Sequence, residues 1–340
     1  MTNQLDGVFE GGGVRGIGLV GALSVIEEAG YEFVNLAGTS AGAVVATLMA
    51  AGYRAPEIRA IIDGIDFSRM TDDTGFGRVP VVGKWIELLV HDGMYRGDYL
   101  LDLIRDLLAQ KGVHKFGDLV LREFESQDPY RFKVRVVASD ISRGRMVVLP
   151  DDIADYRLAP EELDVARAIR MSMSIPFFFR PVKLASRGAG GTSFIVDGGV
   201  LSNFPVELFD SPGEPEWPTF GFRLVNSATP PVIEHRIRGP ISMLQALFET
   251  MAEAHDARYI ETHNFVRTIT IDTHGIPPTK FTLTPQDKTL LYQSGVQAAR
   301  AFLSRWDFPA YKLTFRSGAQ PPGRRETVLA TLEQSAGHGV

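Results

Sequence analysis

Cysteine is absent from all 340 residues, which removes disulfides, thiol nucleophiles and thiolate metal sites and leaves the redox compartment undetermined. Also missing is any uninterrupted run of about 18 apolar residues, so no membrane-spanning helix is expected. The apolar segments Val79 to Val82 and Trp85 to Val90 are too short and too broken. A large excess of either charge is lacking as well: 35 Lys and Arg against 41 Asp and Glu leave a formal charge of −6. That balance argues against nucleic acid and against general attraction to anionic membranes, so any lipid contact would be mainly apolar. Met1 to Asp6 carry neither the basic segment nor the apolar run of a secretory signal, and the simpler expectation is a cytoplasmic protein. No long linker rich in Pro, Ser or charge divides the chain, and no internal repeat is evident. The expectation is one large domain over residues 1–315, followed by a loosely held tail, 316–340.

What is present is a soluble, core-forming composition with 44% hydrophobic and 22% charged residues. Gly7 to Glu10 reads as a short strand. Three glycines follow, then a helical pattern from Val14 to Ala29 with Ile17, Val20, Leu23 and Ile26 on one face, closed by Gly30. Phe33 to Ala37 is a second short apolar run, and Gly38 to Gly42 leads into an Ala-rich helix ending near Gly52. Strand, turn and helix, repeated, argue for an α/β fold with a mostly parallel sheet, whose site lies beyond the carboxyl ends of the strands. Both glycine turns would meet there.

Further on, the pattern predicts a helix over Tyr99 to Leu108, a strand over Phe132 to Ser139 and a flexible segment at Gly188 to Gly191. A short strand over Phe194 to Val196 enters the turn Asp197, Gly198, Gly199. Then come a proline-rich loop at Ser211 to Pro218, a helix over Ile241 to His255, a strand-like run from Phe265 to Ile271 and a final helix from Lys288 to Leu303.

Gly38, Thr39, Ser40, Ala41 and Gly42 match the G-x-S-x-G nucleophile elbow in its required context, between strand and helix. The bland alternative is a serine that merely caps a helix. Gly11, Gly12 and Gly13, with Val14, Arg15 and Gly16, leave several backbone N–H groups unobstructed and suit an anion. A dinucleotide pyrophosphate is one candidate, with Glu32 as its sole acidic ribose ligand, and no lysine follows to make a phosphate loop. An oxyanion hole fits better, with Arg15 bracing the loop. For the base there are two readings. One is a Ser-His-Asp order with Ser40, Asp197 and either His255 or His263. The other is Asp197 itself, placed on a tight turn by Gly198 and Gly199. Gly16 and Ser40 are only 24 residues apart, room for one helix and one strand, which is unlike the usual triad hydrolases.

In this order the three motifs resemble the patatin-like phospholipases: a G-G-G-x-R/K-G loop, a G-x-S-x-G elbow and a D-G-G/A turn, all matched. Met171, Ser172, Met173, Ser174, Ile175 and Pro176, then Phe179 and Pro181, are similar to that family's serine-rich segment, with Met171 and Met173 in place of small residues. Asp92 to Asp98 is similar to the G-x-Y-x-G-D stretch of bacterial members. The motifs cover about residues 7 to 200. The resemblance implies a three-layer fold related to the catalytic domain of cytosolic phospholipase A2, with a mostly parallel central sheet flanked by helices. It also implies a Ser40–Asp197 dyad without His, an oxyanion hole at Gly11, Gly12, Gly13 and Ala41, and cleavage of fatty acyl esters of phospholipids or lysophospholipids. No metal and no cofactor are called for, and contact with a membrane surface would be transient. Phe177, Phe178, Phe179 and Met173 are candidates for the wall of an acyl channel, against the commoner fate of such aromatics as core. A lipid-binding protein that keeps the fold without turnover is the non-enzymatic alternative.

Overall fold

Period-two alternation sends Leu5 and Phe9 to one face of strand β1 (Gln4–Phe9) and Asp6 and Val8 to the other, and all four are buried. A strand with two buried faces belongs in the middle of a covered sheet. The computed structural model of the chain describes residues 3–65, 93–124, 131–186, 191–210, 213–226, scattered positions between 237 and 251, 262–280 and 282–316. Asp92, Gly188 to Gly190, Ser211, most of Ile241 to His255 and the tail beyond Arg316 lie outside the described residues.

The expected opening alternation is present: β1, a 3-10 turn at Gly13–Gly16, α1 (Ile17–Glu28), β2 (Glu32–Thr39) and α2 (Ala41–Ala50). β1 and β2 join an eight-stranded sheet with β4 (Val134–Asp140), β5 (Arg145–Leu149), β7 (Val182–Ala185), β8 (Thr192–Asp197), β9 (Thr219–Val225) and β10 (Thr268–Asp272). Its order is β10-β9-β1-β2-β4-β8-β7, with β5 pairing β4 off this path. The stretch from β10 to β4 is parallel, and β5, β8 and β7 pair antiparallel. β3 (Gly93–Tyr95) and β6 (Phe177–Phe179) form a separate parallel pair.

One arrangement at β4 decides where the site lies. β5 occupies one edge of β4 along residues 136–140, so β2 and β8 must share the other. β2 pairs there with Val134 through Val137, and β8, running the opposite way, with Asp140 back to Ala138. The two strands therefore meet head to head: Thr39 faces Val137 and Asp197 faces Ala138. The sequence pattern places Asp197 on a turn at the end of a short strand and leaves that strand's direction open. β8 is antiparallel, and Asp197 reaches the level of Ser40 because the strand descends only three pairs along β4.

Helices flank the sheet: α3 (Ala55–Gly64), α4 (Asp98–Gln110), α5 (Val165–Ser172), α6 (Thr262–Val266), α7 (Pro285–Leu303) and α8 (Phe308–Phe315). α7 lies so tightly on α1 that a Cβ on Gly295 would sit 1.9 Å from the Gly18 carbonyl, and one on Gly21 would sit 2.0 Å from that of Tyr292. The latter half differs from expectation in several places. β9 went unanticipated. The run from Phe265 is helical through Val266 before β10 starts at Thr268, with Phe265 and Val266 exposed. The helix expected from Lys288 begins at Pro285, where Thr284 caps it by accepting the Asp287 N–H, and it is followed by α8. Arg316, read as the start of the tail, is buried and donates to Asp210 at 3.1 Å. No helix among the described residues is long and apolar enough to cross a membrane.

Candidate active site

Ser40 links β2 to α2 with φ 51° and ψ −122°, a region in which an L side chain is strained. Close packing enforces the turn. A Cβ on Gly42 would lie 2.2 Å from the Phe9 carbonyl, so any larger residue would push α2 off the end of β1. Ser40 is 5% exposed, its carbonyl accepts the N–H groups of Ala43 and Val44, and its side chain makes no capping bond to the helix. The plain helix-cap reading of this serine therefore fails, and its hydroxyl is left for other work.

Asp197 is 1% exposed. Its backbone N–H donates to the Ser174 carbonyl at 2.9 Å, and its Oδ1 accepts the Gly199 N–H at 2.8 Å. Burial pushes the carboxyl up to about 7, with the Gly199 amide and the Ser40 hydroxyl drawing it part of the way back. The Ser40 hydroxyl is thus near enough to favour the ionised form, yet among the described residues Oδ2 is buried with no closed hydrogen bond. A raised carboxyl alone is not diagnostic here: burial also pushes Asp6, within β1 and hydrogen-bonded to the Trp217 side chain, up to about 7. Asp197 differs in having a strained serine beside it.

The glycine loop follows β1 and lies against the elbow, where a Cβ on Gly11 would be 3.3 Å from that of Ser40. Gly11 itself is removed from the expected oxyanion donors, because its N–H is given to the Asn203 carbonyl at 3.2 Å. Among the described residues no backbone acceptor takes the N–H of Gly12, Gly13 or Ala41. Gly13 has φ +54°, and a Cβ there would lie 2.2 Å from the Pro278 carbonyl, which accepts the Val14 N–H. Within the loop, Arg15 Nε donates to the Gly12 carbonyl at 3.3 Å. Glu32, the ribose-ligand candidate of the dinucleotide reading, starts β2 opposite Gln4, at the other end of the strand from these glycines. His255 and the side chain of His263 lie outside the described residues. Among the described residues no three His, Asp or Glu converge as a metal site.

A family model described as patatin-like phospholipase matches residues 7–210, spanning all three motifs. The chain belongs to the patatin-like phospholipase family. Over 305 residues it is 41% identical to the uncharacterized protein YqhO of Bacillus subtilis, covering 89% of this chain and 99% of that one. A "probable lipid hydrolase" of invertebrate iridescent virus 6 is 24% identical over 210 residues, covering 59% of this chain and 61% of the viral one. Among solved structures, VipD from Legionella pneumophila has the same fold, with a TM-score of 0.54 at 19% identity, covering 88% of this chain and 66% of that one.

The patatin motifs leave out several residues that hold this site together. The buried Glu10, immediately before the glycines, accepts the Leu224 N–H and an Asn203 amide N–H at 3.3 Å. Asn203 Nδ2 also donates to the Gly11 carbonyl at 3.1 Å. A charged residue abutting a glycine loop was the available signal for Glu10; Asn203 had none. The G-x-Y-x-G-D stretch supplies the Arg96 carbonyl to the Arg170 guanidinium, which also donates to Ser174 Oγ at 2.6 Å. Phe178 and Phe179 are core, packed edge to face, and only Phe177 reaches the surface, 40% exposed.

Proposed function

We propose that the protein is a serine acyl hydrolase that cleaves fatty acyl esters of phospholipids or lysophospholipids, with Ser40 as nucleophile and Asp197 as its only side-chain base. The observation that carries this reading is a strained serine beside a buried carboxyl raised to about 7, with unspent N–H groups alongside. A carboxylate near 3.8 would be too weak a base for a hydroxyl, and raising it toward neutrality improves the proton transfer. Family membership and the name of the viral relative support a lipid ester as substrate.

In the first step the Ser40 hydroxyl gives its proton to Asp197 while its oxygen bonds to the ester carbonyl carbon. The resulting oxyanion is held by the N–H groups of Gly12, Gly13 and Ala41, aided by the positive end of α2. Collapse expels the lysolipid or glycerol alcohol, which takes the proton from Asp197, and leaves an acyl-Ser40. Water, deprotonated by Asp197, then attacks the acyl carbon, and Ser40 recovers its proton as the fatty acid departs. Lipid would be met at a membrane surface, by transient contact.

The test is to incubate the purified protein with a mixed lipid extract and identify released acids by mass spectrometry. Wild type should release fatty acids and label with a fluorophosphonate probe. Ser40→Ala should do neither, and Asp197→Asn should lose turnover, while His255→Ala and His263→Ala stay active. Full turnover by Asp197→Asn would overturn the dyad, and an unlabelled wild type would favour a binding protein without catalysis.

A further inference from the structure

We infer that Ser172 is a positioning residue for the nucleophile, its hydroxyl standing in for the rung of the β2/β4 ladder that the elbow must lose. In a parallel ladder the bonds recur every two residues along each strand. Leu36 N–H donates to the Lys133 carbonyl at 2.9 Å, and the register runs from Leu36 opposite Val134 to Thr39 opposite Val137. Stepping twice along that register brings Ser40 N–H to the Val137 carbonyl. Those two groups are instead joined through Ser172: Ser40 N–H donates to Ser172 Oγ at 2.8 Å, and Ser172 Oγ–H donates to the Val137 carbonyl at 2.6 Å.

A direct rung would hold Ser40 in extended geometry and close to β4. The inserted oxygen keeps both backbone groups bonded while moving Ser40 away by one atom, which is the room its turn to φ 51° requires. Ser172 is fully buried at the end of α5, so no bulk water stands ready to replace it. Two residues later the same segment offers the Ser174 carbonyl to Asp197 N–H, and Ser174 is in turn gripped by Arg170. The segment from Ser172 to Ser174 thus fills the junction where β2 and β8 meet head to head, touching the nucleophile through one bond and the base through another. This inference rests on the Ser40–Asp197 reading.

The experiment compares full-length Ser172→Ala and Ser172→Thr with wild type on a water-soluble short-chain ester and with a fluorophosphonate probe. With its rung spacer gone, Ser172→Ala should keep its circular dichroism and hold KM within about twofold, while kcat and the labelling rate fall together by about 10- to 100-fold. The acid limb of its pH profile should stay in place, because Asp197 keeps its own partners. Ser172→Thr, which retains the hydroxyl, should recover most of the loss. A kcat for folded Ser172→Ala within about threefold of wild type, or a rise in KM with kcat unchanged, overturns the inference. If Ser172→Ala does not fold, Ser172→Cys keeps the volume but bonds weakly and is read the same way; failure of both to fold makes the hydroxyl a folding requirement and also overturns the positioning role. Asp197→Asn is assayed alongside: full activity there sinks the dyad whatever Ser172 does, whereas an inactive Asp197→Asn with a fully active Ser172→Ala sinks only this inference.

Discussion

Asp197→Asn should abolish turnover and, at alkaline pH, make the protein more stable. In the fold the carboxyl is raised to about 7, against 3.8 for an unperturbed aspartate. At about 1.4 kcal/mol for each pH unit, holding this carboxylate ionised inside the protein costs on the order of 4 kcal/mol. The sign follows from proton counting. Between roughly pH 4 and pH 7 the folded protein keeps a proton that the unfolded chain has lost, so stability declines as pH rises through that window, and the cost is fully present above pH 7. Asparagine preserves the shape and the Oδ1 acceptor for Gly199 but carries no charge at any pH. An unfolding entropy near 2.1 cal/mol/K per residue over this length converts the relief into a Tm gain of about 5 °C at pH 8, vanishing near pH 4. Thermal melts of both proteins at pH 8 and pH 4.5 make the comparison. A Tm gap that is the same at both pH values, or a variant less stable at pH 8, would refute the argument that burial drives the shift. Asp6 has the same direction of shift, so Asp6→Asn serves as an independent check that does not touch the serine.

Further outcomes can be measured on the same preparations. The kcat/KM for a soluble ester should climb with pH and level off after a midpoint near 7, since only ionised Asp197 accepts the serine proton; a flat profile from pH 5 to pH 8 contradicts this. Ser40→Gly should be inactive yet raise stability by about 1 kcal/mol in urea titrations, because glycine occupies φ 51° without strain. Asp210→Ala should lose about 3 to 5 kcal/mol in the same titration, since it strips a carboxylate from two buried guanidinium groups, those of Arg267 and Arg316. These arginines hold the Asp210 carboxyl below its usual value against the opposing effect of burial. Its stabilising contribution is therefore present above about pH 4 and fades as pH falls through the lowered value, so the gap between wild type and Asp210→Ala should narrow in acid.

The first fifty residues were legible because motif and architecture coincide there: the glycine loop and the elbow are also the strand-to-helix turns, and Gly13, Gly38 and Gly42 are each demanded by a backbone a few ångströms away. Asp197 was legible as a turn residue and not by the direction of its strand. Its short strand and two glycines marked a turn, but nothing local reveals that β8 runs antiparallel, a property decided by its pairing with Asp140 through Ala138. Gly11 was assigned as an oxyanion donor because the sequence cannot tell which of three neighbouring N–H groups a distant Asn203 will take. Ser172 sat in a quoted motif without a role, since a hydroxyl that stands in for a ladder bond is visible only with register in hand. β9 escaped because it follows a proline-rich stretch, and the boundary of α6 because Phe265 and Val266 are apolar yet exposed.

The backbone contact between α1 and α7 bears on how the chain becomes competent. During synthesis all three motifs have been made once residue 210 is added, and the family match ends there. At that moment β1 has β2 on one edge and nothing on the other, because β9 has yet to follow. α1, which follows the glycine loop, lacks the helix that Gly18 and Gly21 are shaped to receive, and the Pro278 carbonyl that ties down Val14 does not yet exist. A nascent chain cut off at this point would expose a raw strand edge and a bare glycine-lined helix face. Competence to hydrolyse is thereby postponed until the portion without a catalytic signature has been translated and docked.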